Sequence, residues 1–142
     1  MLFRSWFGTL SGVEIQVSVG AISTVQDPPS GTASWGAEDN LWIATLGGAQ
    51  SGSQTNDISV SAYPSGYTNT ADALSNESTV WDAVTGGANL ENASATENPG
   101  AFTVTTSVQG EANNVVIRPA SGRGFPASLF PFAQSQSTLL RM

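Results

Sequence analysis

Glu38-Asp39, Asp82 and either Asp57 or Asp72 are the side chains that could gather around a cation. Calcium takes six to eight oxygens from converging carboxylates and carbonyls. The spacing of these acids matches no EF-hand loop, and no glycine-aspartate repeat is present, so they read as solvated turn carboxylates. A pair of acids could also run glycoside hydrolysis. With 11 acidic residues some pair always exists, and that signal selects nothing. Five rings, Trp35, Trp42, Trp81, Tyr63 and Tyr67, could include a sugar-stacking platform. Trp42 lies in an apolar run and reads as core. Trp35, Tyr63 and Tyr67 lie in or beside loops and are the candidate sugar-binding residues. Asn76-Glu77-Ser78 and Asn92-Ala93-Ser94 match the glycosylation sequon. In a chain so rich in Asn, Ser and Thr such matches are expected by chance.

The chain has no Cys and no His. Thiol nucleophiles, disulfides, zinc sites of the usual ligands and Ser-His-Asp triads are thereby excluded. The expectation is a protein without catalytic residues, cofactor or metal. All four cations are Arg, against 11 acids, for a net charge of −7. Nucleic-acid phosphates and anionic membranes are both held by Lys and Arg, so neither is an expected partner. No apolar run approaches the ~20 residues of a membrane helix. The opening run Met1–Phe7 is too short and interrupted for a secretory h-region, and Met1 reads as the real or an engineered start.

These residues need a scaffold, and the patterning gives one. At 142 residues the chain has the size of a single domain. Val13–Val19 alternates strictly, with Val13, Ile15, Val17 and Val19 on one side, and predicts a half-buried strand. Residues 23–36 contain Asp27-Pro28-Pro29-Ser30-Gly31 and read as a loop. Leu41–Leu46 is nearly continuous in apolar residues and predicts a central, deeply buried strand. Gly47–Asn56 reads as a loop. Ile58–Tyr63 predicts a strand closed by Pro64-Ser65-Gly66. Residues 68–78 are polar and weakly patterned. Thr79–Val84 predicts a short strand ended by Gly86-Gly87. Asn98-Pro99-Gly100 turns into an alternating strand, Phe102–Val108. Residues 109–113 read as a turn before a last strand, Val115–Ile117, closed by Arg118-Pro119. No window has a helical period. Five or six short strands with turns between them predict an all-β, antiparallel β-sandwich over residues 1–120. Six strands make a thin sandwich, whose edges need covering.

Residues 121–142 differ in kind. Gly122, Gly124, Pro126 and Pro131 stand among Phe125, Leu129, Phe130 and Phe132. Four large apolar groups so close would form a patch in water. The segment folds back on its own sandwich, extends as a C-terminal arm onto a neighbouring subunit, or is disordered. Leu2, Phe3, Trp6 and Phe7, in an extended N-terminal segment, pose the same question. These eight are the candidate interface residues.

Three stretches carry a resemblance. They are Asp27-Pro28-Pro29 with Ser34-Trp35-Gly36-Ala37-Glu38-Asp39-Asn40-Leu41-Trp42-Ile43-Ala44, Ile58–Pro64 with Tyr67, and Ala93–Val104 leading to Val115–Ala120. In this order they resemble the C-terminal half of an uncharacterised β-sandwich family of tailed phages. The resemblance covers roughly Phe3 to Ala120. It implies a jelly-roll-like virion protein and brings no active site. The family has further strands before the position of Arg4–Gly8, and the segment after Ala120 has no counterpart in it. An incomplete sandwich is therefore expected, completed or covered by neighbouring chains. The function so implied is a virion structural protein: a capsid decoration or cement protein, or a small tail-associated subunit. It would bind copies of itself and other capsid or tail proteins. Visible repeats or coiled-coil segments would favour a fibre, and there are none. The alternative is a carbohydrate-binding module for a surface glycan in host attachment.

Overall fold

The computed structural model describes residues 12–51, 57–75 and 81–118. Among them the chain forms nine strands and no helix. The strands are β1 (Val13–Val19), β2 (Ser23–Gln26), β3 (Gly31–Thr32), β4 (Asn40–Ser51), β5 (Val60–Ala62), β6 (Thr68–Ser75), β7 (Trp81–Asn92), β8 (Thr96–Glu97) and β9 (Phe102–Ile117). The candidate interface residues Leu2, Phe3, Trp6, Phe7, Phe125, Leu129, Phe130 and Phe132 lie outside the described residues.

The organising element is β9. Its second half pairs antiparallel with β1 and β4, so that Val115 stands between Ile15 and Ile43. With β7 and β6 beyond β4, this makes a wide sheet in the order β1-β9-β4-β7-β6. Its first half pairs antiparallel with β2 and β5 instead and makes a narrow second sheet. β3 and β8 form a separate two-stranded ladder. The fold is an antiparallel β-sandwich, with one strand passing from layer to layer.

The even-numbered residues of β4, β7 and β9 face the interior. Trp42, Ala44, Leu46, Val84, Ala88, Phe102, Val104, Val108 and Val116 are all buried there, joined by Ile58 and Tyr67. The second sheet does not reach β6, whose residues are exposed on both faces. A hydrogen bond from the Tyr63 hydroxyl to Asp72, 2.5 Å, ties that edge to the chain around β5.

The sequence reading erred mostly at glycines. Residues 109–113 were expected to turn, yet Phe102–Ile117 is one strand. Gly47-Gly48 and Gly86-Gly87 were expected to end strands, yet β4 and β7 run through them as paired neighbours. The cause is the crossing. A side chain on Gly110 would meet the Gly47 carbonyl, and one on Gly48 would come within 2.6 Å of Val108. Glycine here permits close backbone approach where β9 changes sheets. Residues 68–75, weakly patterned because both faces are exposed, form β6. The expected loop 23–36 carries β2 at its start and β3 at Gly31–Thr32, with Asp27-Pro28-Pro29-Ser30 irregular between them. The strand expected at Ile58–Tyr63 shortens to Val60–Ala62.

Candidate docking face

β1 has the bounds its alternation predicts, but its polar side faces inward. There Ser34 N–H donates to the Glu14 carboxylate at 3.3 Å. The Ser18 hydroxyl lies 3.0 Å from the Asp27 carbonyl and 3.1 Å from that of Ala112. The Pro-rich chain after β2 brings main-chain groups with no ladder to join, and β1 offers them polar partners. Its aliphatic side is therefore turned out. Val13, Ile15, Val17 and Val19 are 46%, 60%, 58% and 82% exposed.

The register extends this face across the sheet. Val13, Ile117 and Leu41 form one row, and Ile15, Val115 and Ile43 the next. Beyond Ile43 the surface drops into a shallow furrow floored by Gly87, Ala71 and Ala73. Trp81, 58% exposed, stands at the far corner of the same face. Scattered exposed aliphatics are ordinary, but a contiguous apolar patch marks a contact surface. Leu41-Trp42-Ile43 and Val115-Val116-Ile117 are continuous apolar runs because both of their faces are apolar. Such runs belong to strands covered on both sides. Here the outward Leu41, Ile43, Val115 and Ile117 are partly buried, and Val13, Ile15, Val17 and Val19 beside them are exposed.

The ring residues serve the fold. Trp35 donates from Nε1 to Asn40 Oδ1 at 2.8 Å, and the Arg118 guanidinium lies 6.0 Å from its ring centroid. Gly12 packs so closely that a Cβ there would lie 2.9 Å from the ring. Tyr63 meets Phe102 edge-on with centroids 6.0 Å apart. Tyr67 is 8% exposed, and its hydroxyl has no hydrogen-bond partner among the described residues. Trp35 and Tyr63 are half-buried and packed on the core. The structure does not gather the three into an open platform. Burial and the hydrogen bond to Asp72 push the Tyr63 phenol up to about 12. Burial, with Glu97 nearby, raises that of Tyr67 also.

The candidate cation ligands are dispersed. Glu38 pairs with Arg118 through 3.1 and 2.6 Å contacts, and this hydrogen bonding holds its carboxyl below the usual range. Asp72 accepts from Tyr63. Among the described residues no three His, Cys, Asp or Glu side chains group as metal ligands. No family model, curated protein or solved structure matches the chain.

The docking face was partly legible. The alternation of Val13–Val19 gave its first column, but not which side faces out. Leu41 and Ile43 lie in the run expected as a deeply buried strand, and Val115 and Ile117 in the last strand; their two-sided apolar runs carried the signal.

Proposed function

We propose that the chain is a structural subunit of a tailed-phage virion, a capsid decoration or cement protein or a small tail-associated subunit, acting through protein-protein contacts and not catalysis. The observation that carries the reading is β1 with its aliphatic side out, beside Ile117, Leu41, Val115 and Ile43. Withdrawing such side chains from water contributes about 25 cal/mol per Å² before ordering costs. A face that is expensive to leave wet suits a subunit that works when seated on a neighbour. The resemblance over Phe3–Ala120 supplies the setting, a virion.

The test is the mass of the purified chain, alone and with isolated particles of its phage, beside the Val17→Asp variant. Val17 is 58% exposed, so its replacement is expected to change folding stability by no more than about 0.5 kcal/mol. The expected result is an oligomer, or a particle-bound chain, that Val17→Asp abolishes. A folded monomer indifferent to particles overturns the reading and directs attention to glycan binding.

A further inference from the structure

We propose that the outer face of the wide sheet is the seat of the C-terminal segment, residues 119–142, of a second copy of the chain. This rests on the assembly reading and names the occupant. Four observations carry it.

The segment supplies what the face lacks. Phe125, Leu129, Phe130 and Phe132 are its large apolar groups. Its charge is complementary. All 11 acids of the chain lie within residues 12–118, opposed there by Arg118 alone, a net −10. Residues 1–11 and 119–142 hold no acid and the other three cations, Arg4, Arg123 and Arg141, a net +3 that restores the total of −7. Glu111 and Glu91 stand on the outer face, opposite Gly47 and Leu41, at the border of the aliphatic rows. Two bodies of −10 meeting face against face would repel, whereas an acid-free arm with two arginines brings attraction with its apolar side chains.

The departure point is fixed. Arg118 donates its backbone N–H to the Gly12 carbonyl at 2.9 Å, pairs with Glu38 and lies against Trp35. β9 is thus held to its last residue and directs the chain off the end of the sheet. Seating on its own face would require the chain after Arg118 to turn back over the sheet. The length suffices. Twenty-four extended residues reach about 80 Å, and five strands span only about 20 Å.

The chain has no cysteine, so Val17→Cys gives a single attachment site in the full-length protein. That variant, carrying a benzophenone, is mixed with an excess of ¹⁵N-labelled protein without the probe and irradiated. Trypsin cuts after Arg123 and Arg141, so the arm is released as peptide 124–141. The expected product joins the probe to the heavy form of that peptide. A parallel full-length variant, Phe130→Asp with Phe132→Asp, changes none of residues 12–118 and is expected to lose the product and the oligomer together. Linkage only to the light peptide means the arm covers its own chain, and overturns the proposal. Linkage only within residues 12–118 of the heavy chain means face-to-face pairing, and overturns it also, as does no linkage to either. In these cases the assembly reading stands if Val17→Asp still abolishes oligomer or particle binding, so the two failures are told apart.

Discussion

Asn40 shows how a single side chain closes one end of the sandwich. It is fully buried, with its amide donating to the Ser94 carbonyl at 2.8 Å and the Gly36 carbonyl at 3.2 Å, and its oxygen accepting from Trp35. Asn40→Ala strands three polar groups at once, each costing about 1–3 kcal/mol when left unpaired and dry. A loss of about 3 kcal/mol is expected in urea unfolding. Tyr67 is the opposite case. Its buried hydroxyl has no partner among the described residues, so Tyr67→Phe removes a cost and not a bond. That variant is expected to be neutral or to stabilise by up to about 1 kcal/mol. The two tyrosines also set an alkaline limit. Both are raised above the ordinary 10.0, Tyr63 to about 12, so the fold favours the neutral phenols. Their contribution is complete below pH 10 and is lost as pH climbs through 12. Stability against urea should fall over that interval, and Tyr63→Phe with Tyr67→Phe should flatten the fall.

At the scale of elements, β9 is the hinge between layers, and its crossing of β4 depends on the absence of side chains. Gly110→Ala would place a methyl group into the Gly47 carbonyl, against the Gly47-Gly48 backbone, which has no flexible side chain to yield. It is expected to cost more than about 2 kcal/mol. Gly87→Ala is the control, since a Cβ there meets only the Ala44 carbonyl at 3.9 Å, an ordinary contact. That change should stay within about 0.5 kcal/mol, and equal losses from both would remove the crossing as the explanation. The same glycines explain what the sequence concealed. Phe102–Val108 announces a strand because its pattern has period two. Gln109–Asn113 has the composition of a turn, and the registers of β4 and β1 beside it reveal its continuity. β6 has no period at all, because among the described residues no sheet covers it and neither side must be apolar. The all-β class survived these errors because a strand mistaken for a turn still leaves strands on either side. The docking face did not survive intact. Alternation tells which residues share a side, but not which side is inside. In β1 the decision belongs to the loop carbonyl and amide groups that Ser18 and Glu14 receive.

At the scale of the whole molecule, charge is segregated between a body of −10 and ends of +3, and this makes salt a probe of what meets the outer face. The Debye length is already ≈ 8 Å at 0.15 M ionic strength. Repulsion between distant bodies is largely screened by then, and contacts at the interface are what further salt weakens. If an arm carrying Arg123 and Arg141 lies against Glu91 and Glu111, its ion pairs are at the rim and open to ions. Raising NaCl from 0.15 to 1 M should then raise the dissociation constant of the oligomer severalfold, as measured by sedimentation. Association should persist in part, since the aliphatic contact of Val13, Ile15 and Val17 is not screened. Bodies meeting face to face would respond in the opposite direction. Their acidic rims would be brought within one Debye length, and added salt would relieve that repulsion and tighten the dimer. The sign of the salt dependence therefore distinguishes an arm from a face as the partner of the sheet, without any change to the sequence.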